Sequence, residues 1–260
     1  MHIPSTNQIT QSRTPGMRQT IKEFNGPINM LEIGTWYGEG STQLWLNELK
    51  PGSSITLLDS WNPYCHNDYN DTVFDYKNMD ANVHDAFIKT FKQVINFEKF
   101  GPNKQEFKAD AMGKWVKENK DIKITIIRGD SKTYLANFAD KIFDFIYIDG
   151  AHYYDNVKTD IQHAKRLIKP YGIISGDDYE HDTSFKFPDG TSAFPQFLEV
   201  AKQYPNNDFV SIPDTIYKIH PGVLLAIHEE FDSKVLNHDG FWWVYSNDGE
   251  FTTERPANFK

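Results

Sequence analysis

The chain has 260 residues, of which 39% are hydrophobic and 24% charged, so it can bury a sizeable core without a disulfide or structural metal. Its formal net charge of −9 argues against a broad nucleic-acid-binding surface, which needs a basic face. Cys65 is the only cysteine, which excludes an intrachain disulfide and fits a reducing compartment. The sequence shows neither a signal peptide nor a membrane-spanning run, so we expect a cytoplasmic protein that binds no membrane.

The first elements follow a polar leader, residues 1–25, which contains one short helix candidate. A strand is predicted over 27–34, a helix over 41–49 and a second strand over 54–59. Lys50-Pro51-Gly52 ends the helix, because proline cannot continue it and glycine favours a turn. The pattern is typical of the start of an α/β domain.

A helical insertion is predicted at about residues 62–120, because the third strand comes only at 122–130. One helix candidate in the insertion places five apolar side chains on one face: Val83, Phe87, Phe91, Val94 and Ile95. This face predicts either self-association, as a homo-oligomer such as a dimer, or packing on its own domain. A second helix candidate covers 111–116.

A second strand–helix–strand unit follows, with strands at 143–148 and 171–175. Both strands are apolar runs, typical of a parallel sheet that is buried on both faces. The helix between them is indicated by apolar residues at helical spacing: Val157, Ile161, Ala164 and Ile168.

Four short strands are predicted near the end of the chain, over 209–212, 215–219, 223–227 and 241–245. Their close spacing without helices indicates antiparallel pairing at the edge of the sheet. We therefore predict an α/β fold in one domain, 1–260: a Rossmann-like, doubly wound and mostly parallel sheet with an antiparallel C-terminal hairpin strand.

Three carboxylates and one histidine follow the fourth and fifth strands: Asp149, His152, Asp177 and Asp178. If these strands are neighbours, their ends lie about 4.8 Å apart, which brings the four side chains together. Such a set indicates a site for a hard metal ion with a base beside it, although aspartates also cap helices and turns. The other histidines, His220 among them, lack metal-ligand spacing, and we expect them on the surface or in ordinary hydrogen bonds.

A glycine loop, residues 32–41, joins the first strand to the first helix. Its spacing G-x-x-x-G-x-G differs from the dinucleotide fingerprint, and Glu32 and Glu39 suit a cationic ligand without phosphates. Asp59 ends the second strand, where a carboxylate can accept both ribose hydroxyls, and Asp130 ends the third, within reach of an adenine edge. Together these features predict S-adenosylmethionine (SAM) as the cofactor.

The predicted SAM-binding residues lie at the ends of the first four strands: Glu32, Gly34, Thr35, Trp36, Gly38, Gly40, Ser41, Asp59, Ser60, Gly129, Asp130, Ser131 and Asp149. SAM is expected over the first and fourth strands, where the chain order reverses, with the metal between the fourth and fifth.

Over roughly residues 28–179 the chain resembles the class I SAM-dependent methyltransferases. Within that class it is most similar to the metal-dependent sugar O-methyltransferases of the macrocin type and their cephalosporin hydroxylase relatives. The resemblance rests on Glu32-Ile33-Gly34 with Gly38, on residues 149–152 and on the Asp177-Asp178 pair.

The resemblance implies that Asp149, Asp177 and Asp178 hold Mg²⁺ or Mn²⁺. It also implies that Asp149 and His152 act in catalysis, with His152 taking the proton from a hydroxyl of a sugar or another small vicinal diol. The insertion and the segment after Tyr179 align with nothing in that group, so the methyl acceptor stays open.

Three alternatives remain from the sequence. A nicotinamide-dependent oxidoreductase would share the sheet but needs the phosphate-binding glycine spacing. A metal-dependent hydrolase would use the aspartates and His152 but gives the glycine loop no role. A non-catalytic SAM-fold scaffold would have no need for the metal residues.

Overall fold

A computed structural model describes residues 11–61, 89–90, 108–109, 114–117 and 121–259. The helices are α1 Thr14–Lys22, α2 Ser41–Glu48, α3 Ser131–Leu135, α4 Tyr154–Leu167, α5 Phe194–Gln203 and α6 Pro221–Phe231. The strands are β1 Asn29–Ile33, β2 Ser53–Asp59, β3 Lys108–Ala109, β4 Lys114–Lys117, β5 Ile122–Arg128, β6 Phe143–Ile148, β7 Ile168–Tyr179, β8 Val210–Ser211, β9 Lys218–Ile219, β10 Leu236–His238, β11 Gly240–Asn247 and β12 Glu250–Thr252. None of the described helices has the length and apolar character needed to cross a membrane.

Ten of the described strands form one sheet in the order β10-β11-β7-β6-β1-β2-β5-β4-β3, with β12 paired to β11. The strands β5, β2, β1, β6 and β7 are mutually parallel, and β11 is antiparallel to β7. The chain order reverses between β1 and β6, and sheets of this kind bind ligands at that point. The predicted fold, with its antiparallel strand at the C-terminal edge, is confirmed.

The sheet is covered on both faces, as its apolar strands predict. Along β6, Phe145 and Tyr147 pack into a core that includes residues of α1 and α2, while Ile146 and Ile148 pack into a second core that includes residues of α4, α5 and α6. This alternation is the period-two pattern of a strand. The helices therefore pack on both faces of the sheet, and the loops that carry the predicted site residues follow the carboxyl ends of its strands.

Two predicted elements were wrong. Residues 223–227 lie in α6 rather than in a strand, and all five are buried. A helix that is apolar all round shows no period of 3.6, so its sequence reads like a buried strand. Lys114–Lys117 is a strand antiparallel to β5, so the second helix candidate of the insertion is wrong over those residues.

Other predictions had mixed outcomes. The strands predicted over 209–212 and 215–219 exist only as β8 and β9, which pair with each other outside the main sheet. The helix candidate that carries Phe87 and Phe91 lies outside the described residues, except for the helical pair Lys89-Thr90. The predicted self-association through that face therefore stays a prediction.

Candidate active site

The carboxyl end of β1 lies directly against that of β6. Gly34 has a positive φ of 85°, and a Cβ there would lie 1.9 Å from the carbonyl oxygen of Asp149, so only glycine fits. The Asp149 amide donates to the carbonyl of Ile33 at 2.7 Å, which continues the pairing of the two strands. The predicted SAM loop and the first predicted metal ligand therefore share the switch point of the sheet.

Glu32 shapes the glycine loop from beneath. The side chain is fully buried, and its two oxygens accept hydrogen bonds from Ser41 Oγ at 2.6 Å and Thr42 Oγ1 at 2.7 Å. Burial raises the pKa of Glu32 to about 7 against these hydrogen bonds. Glu32 and Ser41, both predicted to bind SAM, therefore hold the loop onto α2 and face each other.

Asp59 ties two loops together at the end of β2. Its Oδ2 accepts the amides of Thr35 and Trp36, each at 2.9 Å, and its Oδ1 accepts the amide of Trp61 at 2.7 Å. A carboxylate has about four acceptor positions, of which three are used here. The described residues leave one position unused, and the predicted contact of Asp59 with both ribose hydroxyls stays a prediction.

Other predicted SAM-binding residues have local roles. Asp130 is the N-cap of α3, where its carboxylate accepts the amide of Thr133 at 3.0 Å, and Gly129 leaves space for the ring of Tyr134. In contrast, the buried hydroxyl of Thr35 makes no hydrogen bond with the described residues. Three further predicted residues, with Thr35, line the turns after β1, β2 and β5: Gly40, Ser60 and Ser131.

Part of the insertion covers the glycine loop. Thr90 is fully buried and donates from Oγ1 to the carbonyl of Trp36 at 2.8 Å, which also accepts Nε1 of Trp61 at 2.8 Å. A Cβ on Gly38 would lie 3.0 Å from the Thr90 methyl, so this position also favours glycine. The described pair Lys89-Thr90 therefore closes one side of the predicted SAM site.

A buried acid beneath this region, Asp160, was missed by the sequence reasoning. It lies in α4 with 3% exposure, its Oδ1 has no hydrogen-bond partner among the described residues, and its charge is near Asp130. Burial raises the pKa of Asp160 to about 7, against a hydrogen bond from Ser131.

The three predicted metal ligands lie at the ends of β6 and β7, but their ligand atoms do not form a group within 4.8 Å of one another. Burial raises the pKa of Asp149, and the charges of Asp177 and Asp178 raise it further. Asp178 has a positive φ of 64°, a sparsely populated conformation for a residue with a side chain. Tyr147 fixes Asp149 by donating from its hydroxyl to Oδ2 at 3.1 Å.

An arginine from the leader reaches this acidic cluster. Arg13, at the N-cap of α1, places Nη1 2.7 Å from Asp177 Oδ1 and 2.8 Å from Asp178 Oδ1, while Nη2 lies 3.4 Å from Glu180 Oε1. The N–H of Nη1 points at Asp178, so Asp177 Oδ1 touches the charge but accepts no hydrogen bond from the described residues. The guanidinium charge of Arg13 therefore neutralises part of the buried acidic cluster.

His152 lies between two carboxylates. Its Nε2 is 2.9 Å from Asp178 Oδ2 and 4.0 Å from Asp149 Oδ1, and its Nδ1 is 2.6 Å from Asp208 Oδ1. Burial lowers the pKa of His152, but Asp178 and Asp208 outweigh it and raise that pKa well above its ordinary value. The ring is thus fixed at both nitrogens, with Nε2 toward the aspartates.

A second histidine completes the cluster in a buried, hydrogen-bonded position, the second of the two settings expected for it. His220 has 3% exposure, its Nδ1 is 2.6 Å from Glu180 Oε1, and its ring stands edge-on to that of His152 at 4.7 Å. Burial raises the pKa of Asp178, yet His220, His152 and Arg13 together hold it well below its ordinary range. His152, Asp178 and His220 also offer three ligand atoms within 4.8 Å of one another.

Two of the residues that sequence reasoning missed lie far along the chain from the motifs. Asp208 lies 56 positions after His152, and Arg13 lies 165 positions before Asp178. Neither stands in a recognisable motif. The one available signal was Gly222, where a Cβ would lie 2.2 Å from the carbonyl oxygen of His152, but an isolated glycine does not reveal its neighbour.

The comparisons with known proteins agree with this architecture. Residues 31–179 match the sequence model of a family described as a methyltransferase domain. No curated protein matches the chain. Among solved structures, an O-methyltransferase from Bacillus cereus in complex with SAH is similar, with 14% identity and a TM-score of 0.45 over 94% of this chain and 84% of that one. The TDP-rhamnose 3′-O-methyltransferase CalS11 of calicheamicin biosynthesis has 11% identity and a TM-score of 0.45 over 90% and 79%.

The family match spans more than half of the chain and contains the glycine loop, Asp149, His152 and the Asp177-Asp178 pair. It favours the methyltransferase interpretation over the oxidoreductase and hydrolase alternatives. The strand order, with β11 antiparallel beside β7, is that of the class I fold. The chain therefore belongs to the methyltransferase-domain family and is a SAM-dependent methyltransferase of class I fold.

Proposed function

We propose that the protein transfers the methyl group of SAM to a hydroxyl of a small molecule, such as a sugar or another vicinal diol. The observation that carries the proposal is the contact between Gly34 and Asp149. It joins the glycine loop to the cluster of aspartates and histidines, so the methyl donor and a proton acceptor would meet at one edge of the sheet. The similarity to enzymes named O-methyltransferases agrees with this reaction.

The nucleoside half of SAM would lie along the ends of β1, β2 and β5. Asp59 would accept one ribose hydroxyl with its remaining acceptor position, and the free hydroxyl of Thr35 is a further candidate contact. Glu32 and Ser41 would act indirectly by holding the loop. The sulfonium would face the acidic end of β6, which suits its positive charge.

The acidic cluster fits a divalent metal. Asp149, Asp177 and Asp178 supply three carboxylates at the ends of β6 and β7, and the buried Asp177 Oδ1 already attracts a cationic group, since Arg13 Nη1 lies 2.7 Å from it. Hard ions such as Mg²⁺ prefer oxygen ligands of this kind. When bound, such an ion would lower the pKa of an acceptor hydroxyl.

In its neutral form, which the ring reaches only above the pKa that Asp178 and Asp208 raise, His152 would take the proton of the acceptor hydroxyl on Nε2. The oxygen then forms its bond to the methyl carbon as the bond from that carbon to sulfur breaks, which leaves S-adenosylhomocysteine (SAH). Asp208 holds Nδ1 at 2.6 Å and so fixes which nitrogen faces the reaction. Asp208 is thus a positioning residue, and it stabilises the imidazolium that forms.

His152, Asp178 and His220 form a second possible set of metal ligands, since their ligand atoms lie within 4.8 Å of one another. Two imidazoles and one carboxylate would suit a softer ion such as Zn²⁺ or Mn²⁺. If His152 is a ligand, it is unavailable as the base. Replacing His152 with alanine separates the two sets, since the carboxylate set keeps its metal and the histidine set loses it.

Calorimetry with SAH and NAD tests the cofactor, and we expect SAH alone to bind. SAH release is then measured over a panel of sugars, nucleotide sugars and catechols, with Mg²⁺, Mn²⁺ or EDTA. The whole proposal is supported if a diol is methylated in the presence of metal and this turnover stops in EDTA. Turnover in EDTA would make the enzyme a metal-independent methyltransferase, and failure to bind SAH would refute the proposal.

A further inference from the structure

Arg13 occupies the position that a bridging cation would take. A single atom, Nη1, lies 2.7 Å from Asp177 Oδ1 and 2.8 Å from Asp178 Oδ1. A divalent ion held by the same two carboxylate oxygens would have to displace this nitrogen from them. The guanidinium and a metal on that pair of oxygens therefore exclude each other.

The placement of Arg13 is specific. Its Nε donates to the carbonyl of Asp239 at 2.9 Å, and the residue has only 8% exposure. Gly240 has a positive φ of 99°, and a Cβ there would lie 2.8 Å from Arg13 Nε. The β10–β11 turn is thus shaped to receive the guanidinium, and Glu180 adds a third carboxylate.

The helix that carries Arg13 is anchored separately. Met17 and Ile21 are buried in the core beneath the sheet, and a Cβ on Gly16 would lie 2.8 Å from His238 Cβ. These apolar contacts do not depend on the ion pairs. Release of Arg13 would therefore loosen the first turn of α1 while the rest of the helix stays packed.

We infer that Arg13 and a divalent metal ion are alternative occupants of the Asp177–Asp178 pair, so that metal binding releases the first turn of α1. The inference rests on the metal site of the proposed function. The coupling is reciprocal: if the metal weakens the hold on Arg13, then Arg13 weakens metal binding by the same factor. The N-terminal helix would thereby set the metal affinity of the enzyme.

The first test is a calorimetric titration of the full chain with Mn²⁺ at saturating SAH, for wild type, Arg13→Gln and Arg18→Gln. Arg18 is the matched control, since it lies in the same helix but pairs with Glu48 at 3.2 Å, away from the cluster. We expect Arg13→Gln to bind Mn²⁺ about tenfold more tightly or better, within the usual range of such couplings. Arg18→Gln should match wild type.

The second test needs no variant. Hydrogen exchange of wild type should speed up at the amides of Thr14 and Met17, which bond to Gln11 and Arg13 carbonyls, when Mn²⁺ is added. The amides of later α1 residues should not change.

Equal or weaker Mn²⁺ affinity in Arg13→Gln, unchanged exchange in metal-loaded wild type, or no Mn²⁺ binding by either protein would overturn the inference. SAH binding distinguishes this failure from a wider one. If wild type binds SAH and only the Mn²⁺ results fail, the methyltransferase proposal stands and the competition falls. If wild type does not bind SAH, the proposed function itself fails.

Discussion

The two halves of the catalytic edge treat their carboxylates differently. At the ends of β1, β2 and β5, Glu32, Asp59 and Asp130 accept hydrogen bonds from hydroxyls and amides of the loops at this end of the sheet. At the end of β7, Asp177 and Asp178 face an arginine and two histidines that come from distant parts of the chain. In the first half, hydrogen bonds from the loops satisfy the carboxylates and fix the shape of the predicted SAM site. In the second half, the carboxylates pair with charged side chains, and a ligand or a proton can change those ion pairs.

The difference predicts that variants of the two halves fail in different ways. Changes at the nucleoside side should weaken SAH binding, because they loosen the loop that forms the pocket. Changes at the acidic side should leave SAH binding intact and affect turnover or metal binding. The following variants test this division, beginning with the largest expected effect.

His152→Ala should lower turnover by about 10²–10⁴-fold, the usual contribution of a positioned proton acceptor. SAH binding should be unchanged and Mn²⁺ should still bind, since in this scheme the ring contacts neither ligand directly. The measurements are SAH release with the acceptor found in the panel, and calorimetry for the two ligands. His163→Ala is the control, because His163 lies on α4 away from the cluster. Loss of Mn²⁺ binding would make His152 a metal ligand.

Asp160→Asn should stabilise the ligand-free protein, and the gain should grow with pH. Burial raises the pKa of Asp160 from 3.8 to about 7, so the folded state favours the neutral acid. The cost of the charged form is absent well below pH 4, rises between pH 4 and pH 7, and is complete above pH 7. Between pH 5 and pH 8 the advantage of asparagine should therefore increase by about 3 kcal/mol.

Chemical denaturation at pH 5, 6, 7 and 8 measures this difference. Asp155→Asn, in the exposed first turn of the same helix, should change the unfolding free energy by less than about 0.5 kcal/mol at every pH. A gain for Asp160→Asn that does not depend on pH would mean that Asp160 is not a raised acid. Asp160 would then join the locally satisfied carboxylates of the nucleoside side.

The sequence predicts the sheet well because its signals are local. The apolar runs at β2, β5 and β6 match the structure closely, and the motifs at Asp149 and Asp177 end up at one edge because parallel neighbours must align their ends. The predicted class I fold follows from these short-range patterns.

The partners of the site could not be predicted in the same way. Glu180 and His220, 40 positions apart, meet only because α6 packs on α4 and brings its N-terminus beside His152. The unbroken apolar run of α6 predicts a strand, so the sequence could not place His220 at the start of a helix near the cluster. The number of hydrogen bonds that Asp59 accepts could not be predicted either, because the folded loops and not the residue types bring its three amide donors together.

Asp59→Ala should weaken SAH binding by about 1.5–3 kcal/mol, roughly ten- to hundredfold, for the loss of one charged hydrogen bond to ribose. It also leaves the amides of Thr35 and Trp36 without their acceptor, which should loosen the loop. Calorimetry with SAH measures the effect. Asp144→Asn is the matched control, since Asp144 accepts the amide of Asn29 at 2.8 Å at the opposite end of the sheet. Unchanged SAH affinity in Asp59→Ala would place the nucleoside elsewhere.

Asp208→Asn should lower turnover by about 10–10²-fold, the usual cost of removing a partner that orients a working side chain. The amide can still reach Nδ1 of His152, but it does not hold the imidazolium, so kcat should fall while KM and SAH affinity stay near wild type. The kcat is calculated per SAH-binding site, because a partly unfolded variant would also show a lower apparent kcat with an unchanged KM. Asp208 thus tests whether the distant partners of the acidic side act on the reaction or only on the fold.

The control for Asp208 is Glu230→Gln, which removes a half-buried carboxylate that pairs with Lys165 at 2.8 Å on the other side of α4. Its kcat should equal that of wild type. Nitrogen NMR of labelled histidine reports the protonation of the two ring nitrogens of His152. This protonation should change in Asp208→Asn alone, and it would not change if Asp208 only stabilised the fold. Two outcomes would contradict this role: both variants lose the same activity, or the His152 signals stay unchanged in Asp208→Asn. Asp208 would then have only a structural role, like the locally satisfied carboxylates. The contrast between the two halves would be limited to Asp177 and Asp178.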